Sequence, residues 1–172
     1  ILSMARLVRG KGVDVMIGAL ADLPNSYHCT IAGDGPERRR LEALASSLGV
    51  MERVTFTGWV SGDSKYHLLE SADIFCLPST RDSFGIVYIE AMAYGLPIVA
   101  VRSRGIPDVV LDGRTGYLVD TPDPLQVAEA VQKLADPKTR EQMGSAGKLR
   151  VMEEFSSGIL AGILRRVIDG LN

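Results

Sequence analysis

The sequence predicts an α/β fold, a doubly wound, Rossmann-like parallel six-stranded sheet flanked by helices, with further helices at the C-terminus. Three observations carry that expectation. Six short apolar runs recur along the chain, the segments between them keep helical spacing, and the intervals are long enough for the crossovers that parallel neighbours need.

The runs at 1–5, 27–32, 54–57, 74–77, 98–101 and 117–119 read as strands buried on both faces. After the first, Val13, Met16, Ile17 and Leu20 hold the i, i+3, i+4, i+7 spacing of a helix with one buried face. After the second, Leu41, Leu44, Ala45 and Leu48 do the same, and Gly49 reads as a left-handed cap. The segment "IVYIEAMAY" after the fourth strand reads as a helix beginning near Phe84 and Gly85 and ending at Gly95, ahead of Pro97. Beyond Asp123 the strands stop. Val127, Val131 and Leu134, and then Ile159, Ile163, Leu164 and Val167, predict the closing helices.

With 172 residues, 46% hydrophobic and 23% charged, residues 1–172 are expected to fold as a single domain. A formal charge of -2 argues against nucleic acid as the main partner, so any anion must be bound by a local cluster. Cys29 and Cys76 sit inside apolar runs and read as buried thiols rather than a disulfide, which fits a reducing cytosol. No uncharged apolar stretch reaches the roughly 18 residues of a membrane span, since Glu90 interrupts the longest candidate. A chain that opens on Ile1, within a strand, reads as part of a longer protein.

In a sheet of this kind ligands bind beyond the carboxyl ends of the strands, so the loops that follow strands are the places for chemistry. The first, "RLVRGKG", brings Arg6, Arg9 and Lys11 together with Gly10 and Gly12, a cradle suited to phosphate; the duller reading is a solvated basic turn. The second, "AGDGPERRR", gives Gly33 and Gly35 as a partial dinucleotide fingerprint. It fails where Arg38 replaces the third glycine and Thr57 replaces the ribose-binding acid. Arg38 to Arg40 read as an exposed helix face. In the third, "TGWVSGDS", Gly58 and Gly62 flank the only Trp, and a base could lie against backbone between Gly58 and Val60; Trp59 itself is expected to pack in the core or loop.

The fourth loop holds Asp82, with Glu90 two turns into the helix beyond it. A helix N-terminus near Gly85 suits a phosphate. Glu90, about 7 to 9 Å further along the axis, suits the ribose of the same nucleotide, and Asp82 suits a sugar hydroxyl. The alternative is that Asp82 caps the helix and Glu90 pairs with a surface cation.

These motifs together resemble the C-terminal domain of retaining glycosyltransferases of family 4, the group 1 type with GT-B architecture. The resemblance runs through "ARLVRGKGVD", "IAGDGPERRRLEALASSLGV", "RVTFTGWV", "SADIFCLPS", "SFGIVYIEAMAYGLPIVA" and "GIPDVVLDGRTGYLV". It implies a nucleoside-diphosphate-sugar donor bound here and an acceptor bound by a separate N-terminal domain. Arg6 and Lys11 would neutralise the diphosphate, Asp82 would hold the donor sugar, and Glu90 the ribose. Gly33, Gly58, Val60, Ser83, Phe84, Gly85 and Ile86 would complete the donor site, largely through backbone.

The same resemblance implies no cofactor and no metal, in keeping with the lack of an Asp-x-Asp pair and the isolation of His28 and His67. It leaves room for peripheral membrane association through the other half, at the inner face of a membrane. The sequence departs from the family at three places: Ala5 stands for the glycine before the arginine, Asp82 for the first glutamate of E-x7-E, and Ser83 for the following glycine. A non-catalytic nucleotide-sugar binding module or a degenerate partner subunit is the competing expectation.

Overall fold

A computed structural model of the chain describes residues 1–82 and 85–155, and in it all six strands join one sheet. They are β1 (Leu2–Met4), β2 (Cys29–Ala32), β3 (Val54–Gly58), β4 (Phe75–Leu77), β5 (Ile98–Val101) and β6 (Gly116–Val119). Their spatial order is β3-β2-β1-β4-β5-β6, and every neighbouring pair is parallel. The doubly wound expectation holds. In β1, β4 and β5 every residue is buried, as strands covered on both faces must be, while edge strand β3 exposes alternate positions.

The helices are α1 (Val13–Asp22), α2 (Arg38–Ser47), α3 (Asp63–Ser71), α4 (Ile86–Ala93), the short α5 (Ile106–Val109), α6 (Pro124–Gln132) and α7 (Pro137–Glu154). The buried face of α1 is Val13, Met16, Ile17 and Leu20, with Ala19 between them. Of the α2 residues named from spacing, Leu41 and Ala45 are buried, and Leu48 is exposed as the C-cap. Gly49 and Gly95 are left-handed, with φ of 69° and 79°. Helix α1 packs on α2 and α6, and α4 on α7.

The one long helix without an apolar signature is α7. It reaches the body through glycine instead: a Cβ at Gly144 would stand 2.0 Å from the Gly95 carbonyl oxygen, and one at Gly147 would press on Met92 at 3.2 Å. Backbones packed this closely leave no room for a stripe of large apolar residues, so the hydrophobic period is faint. The second predicted closing segment, 159–167, lies outside the described residues.

Cys29 and Cys76 are free and buried on β2 and β4, the two strands that flank β1 in the sheet. Burial pushes the Cys29 thiol up to about 11 and holds the Cys76 thiol well above its usual range. Both thiols should therefore resist a water-soluble disulfide reagent in the native protein and react only after denaturation. Fast native labelling of either cysteine would contradict this packing.

Candidate functional site

Strand order reverses between β1 and β4, because β2 lies on one side of β1 and β4 on the other. Crossovers leaving in opposite directions open a crevice at the carboxyl ends of these two strands. The loops after β1 and β4, which carry Arg6, Lys11 and Asp82, therefore face each other although 71 residues separate the last two.

Hydrogen bonds fasten these loops together. The Gly10 carbonyl accepts from the Thr80 N–H at 3.0 Å and from the buried Ser79 hydroxyl at 3.2 Å. Gly10 and Gly12 have φ of 84° and 76°, and a Cβ at Gly12 would lie 2.2 Å from the Pro78 carbonyl oxygen. The expectation that these glycines make way for a ligand is thus revised, because the group they admit is the β4 loop. Gly33 and Gly35 behave likewise, closing on the carbonyl oxygens of Ala5 and Leu7. That filled space is the physical reason the partial dinucleotide fingerprint forms no phosphate cradle.

Across the joined loops the Lys11 ammonium donates to Asp82 Oδ1 at 2.6 Å. The two side chains are 23% and 16% exposed. The second carboxylate oxygen, Oδ2, is buried with no hydrogen-bond partner among the described residues. A charged oxygen in that state is costly, and a ligand hydroxyl would satisfy it. Asp82 caps no helix among the described residues; Gly85, left-handed at φ 74°, precedes α4. Beneath the loop, the buried Tyr88 hydroxyl donates to the Leu77 carbonyl at 2.7 Å. Burial, then the nearby Asp82 charge, hold the phenol far above its usual range, so it stays a donor.

A cavity of about 390 Å³ opens over the ends of β1, β2 and β3. Arg6, Gly33, Val60 and Glu90 line it, as do three residues not assigned from sequence: Trp59, Lys65 and Tyr66. The Arg6 guanidinium is exposed and has no ion-pair partner among the described residues. Glu90, on the second turn of α4, accepts from the Lys65 ammonium at 2.6 Å. The surface-cation alternative for Glu90 therefore holds in part, but the cation stands within the same cavity. Tyr66 stacks on Tyr94, with ring centroids 6.2 Å apart.

Trp59 requires a correction. Expected in the core or packed in its loop, it is 74% exposed at the cavity wall. The apolar ring drew the inward assignment, but edge strand β3 ends at Gly58, whose φ of 75° turns the chain outward before the indole. Of the other sequence-predicted residues, Gly58 accepts the Gly33 N–H at 2.8 Å, and Gly85 and the half-exposed Ile86 begin α4. None of these three lines the cavity, nor do Lys11 and Asp82. Ser83 and Phe84 lie outside the described residues.

Two of the three arginines in the basic run on α2 are ion-paired, Arg38 to Glu42 and Arg40 to Glu37 and Asp14, and Arg39 is exposed. A larger hollow of about 480 Å³ at the β6 edge contains Asp112, Asp120 and Lys133 but none of the predicted site residues. Arg102 already bridges its two aspartates. Among the described residues, no cluster of three or more His, Cys, Asp or Glu could hold a metal ion, and no helix is long and apolar enough to cross a membrane.

A doubly wound domain with opposed charges at its switch point and a mixed polar and aromatic cavity over its strand ends is an α/β protein of the class that binds ligands at that crevice. The particular family follows from a match over residues 1–150 to the model of "Glycosyl transferases group 1", and the chain belongs to that family. It is 41% identical to the GDP-mannose-dependent alpha-(1-6)-phosphatidylinositol monomannoside mannosyltransferase of Mycolicibacterium smegmatis, over 99% of this chain and 47% of that protein. Among solved structures it resembles Anabaena Alr3699/HepE in complex with UDP and glucose, with a TM-score of 0.85 and 25% identity over 99% of this chain and 47% of the other. It also has the fold of the C-terminal domain of the group 1 protein LpcC from Francisella tularensis. There the TM-score is 0.81 and identity 22%, over 91% of this chain and 86% of that one. The chain spans about half the length of the curated relatives it matches.

Proposed function

We propose that residues 1–172 form the donor-binding domain of a retaining, family 4 glycosyltransferase that moves a hexosyl group from a nucleoside-diphosphate sugar to an acceptor hydroxyl. The observation that carries this reading is the meeting of Arg6, Glu90 and the exposed Trp59 in one cavity, with the Lys11–Asp82 pair on the adjoining loops. Arg6 and Lys11 would take the diphosphate, Glu90 the ribose, and Asp82, through the Oδ2 that has no partner among the described residues, a hydroxyl of the donor sugar. Backbone at Gly33, Gly58, Val60 and 83–86 would complete the contacts. Relatives named for GDP-mannose and a neighbour holding UDP support a nucleotide-sugar donor without choosing its base.

In the reaction the bond between the sugar's anomeric carbon and the diphosphate oxygen breaks as the acceptor oxygen bonds to that carbon. Charge builds on the departing diphosphate, and fixed cations stabilise it. Two side-chain cations meet that charge, so no metal or other cofactor is required by this reading. With retention, the leaving phosphate would accept the acceptor's proton. The acceptor would bind a separate N-terminal domain, through which any peripheral membrane contact would also run, and the buried free thiols suit a cytosolic setting. This chain alone would bind donor and transfer nothing.

Calorimetry with UDP, GDP and ADP sugars tests the proposal, and Trp59, the only tryptophan, gives a second signal through its fluorescence. Millimolar-range or tighter binding of at least one donor is expected, weakened by about 1.5–3 kcal/mol in Glu90→Ala, the worth of a charge-assisted hydrogen bond. No binding of any donor at millimolar concentration would overturn it. The shortened acid at position 82, already engaged by Lys11, favours as second reading a binding module or partner subunit without catalysis. Turnover by the full-length protein, with no gain in Asp82→Glu, would dismiss that reading.

A further inference from the structure

Lys65 is the cavity residue whose position folding alone explains least. It lies in the first turn of α3, where the helix dipole opposes a cation, and its side chain is only 24% exposed. Its partner Glu90 is 25 residues away on another helix and 15% exposed. For a mostly buried ion pair of this kind the cost of desolvating both charges offsets much of their attraction, so the net gain in stability over an apolar pair is small. Stability therefore gives little reason to hold an ammonium group at this cavity wall.

The geometry of the pair supplies another reason. Lys65 occupies Glu90 Oε1, while Oε2 has no hydrogen-bond partner among the described residues and is not among the buried orphan atoms. An ammonium carries three donors, and one is used here. The pair thus presents a free acceptor, Oε2, beside free donors on Nζ. A lone carboxylate could only accept, and its side chain could swing among rotamers. A vicinal diol both donates and accepts, so the acceptor–donor pair matches it better than Glu90 alone.

We propose that Lys65 is a positioning residue that fixes Glu90 for ribose recognition and adds a hydrogen bond of its own to the diol. Glu90 Oε2 accepts from one ribose hydroxyl, and the Lys65 ammonium donates to the oxygen of the other. This inference rests on the donor-binding reading above. It makes ribose discrimination a property of two helices rather than of α4 alone.

The test compares the affinity of wild type, Lys65→Ala, Lys65→Gln and Lys65→Arg for a nucleoside diphosphate and for its 2′-deoxy and 3′-deoxy forms, with melting temperatures recorded alongside. The base is whichever the wild-type protein binds. Wild type is expected to lose roughly tenfold or more for each missing hydroxyl. Lys65→Ala and Lys65→Gln should bind the parent nucleotide about tenfold more weakly and lose most of the discrimination against the deoxy forms, and Lys65→Arg should restore part of both. A residue that only supports the fold would lower all three affinities alike and leave their ratios intact. Unchanged ratios in folded Lys65→Gln would overturn the inference while leaving the donor site standing. Absence of nucleotide binding in wild type would instead overturn the reading on which it rests.

Discussion

Replacing Gly33 by alanine is expected to destabilise the protein by about 3 kcal/mol or more, through strain and steric overlap acting together. Gly33 holds φ 144°, a region that side-chain-bearing residues rarely enter, and an added Cβ would stand 1.9 Å from the Ala5 carbonyl oxygen. That oxygen belongs to backbone, which cannot turn away as a flexible side chain would. The neighbouring Gly33 N–H to Gly58 carbonyl bond, at 2.8 Å, ties the end of β2 to β3 where their register shifts. Gly49→Ala is the control, since its φ is 69° and nothing lies within 4 Å of the added carbon. It should cost only about 1–2 kcal/mol, the price of left-handed backbone alone. Urea denaturation of the two variants measures the difference. Equal losses would show that close packing against Ala5 does not constrain this position.

Lys11→Ala should produce two separable losses. Binding of the nucleoside-diphosphate donor should weaken by roughly tenfold to a hundredfold, as one charge-assisted hydrogen bond to phosphate disappears. Stability should also fall by about 1–2 kcal/mol, because the Asp82 carboxylate, 16% exposed, would lose the cation that pairs with it. Adding Asp82→Asn removes the stranded charge, so the double variant should recover stability and still bind poorly. A double variant as unstable as Lys11→Ala would refute the ion-pair account. Full-strength donor binding by Lys11→Ala would remove Lys11 from the site.

The elements differ in how openly the sequence shows them. Strands β1, β4 and β5 were legible because burial on both faces demands uninterrupted apolar runs, and α1 because one buried face repeats at helical spacing. Helix α7 was not legible, because its contacts with Gly95 and Met92 run through Gly144 and Gly147. In the candidate site, Arg6 and Glu90 could be named from their places after a strand and along a helix. Lys65 could not, for it looks like any charged residue in a helix that follows a polar loop. The lone tryptophan between Gly58 and Gly62 was a visible signal, but hydrophobicity pointed it the wrong way.

Sequence by itself determined the α/β class, the parallel sheet and the strand-end loops where ligand chemistry must gather, because side-chain periodicity and glycine placement are local properties of a chain. Tertiary structure alone decided that Lys11 meets Asp82, that Lys65 holds Glu90, and that Trp59 stands at the cavity wall. These partners come from loops and helices that only strand order and helix packing bring within reach, and a charge carries no local mark of the opposite charge it will face.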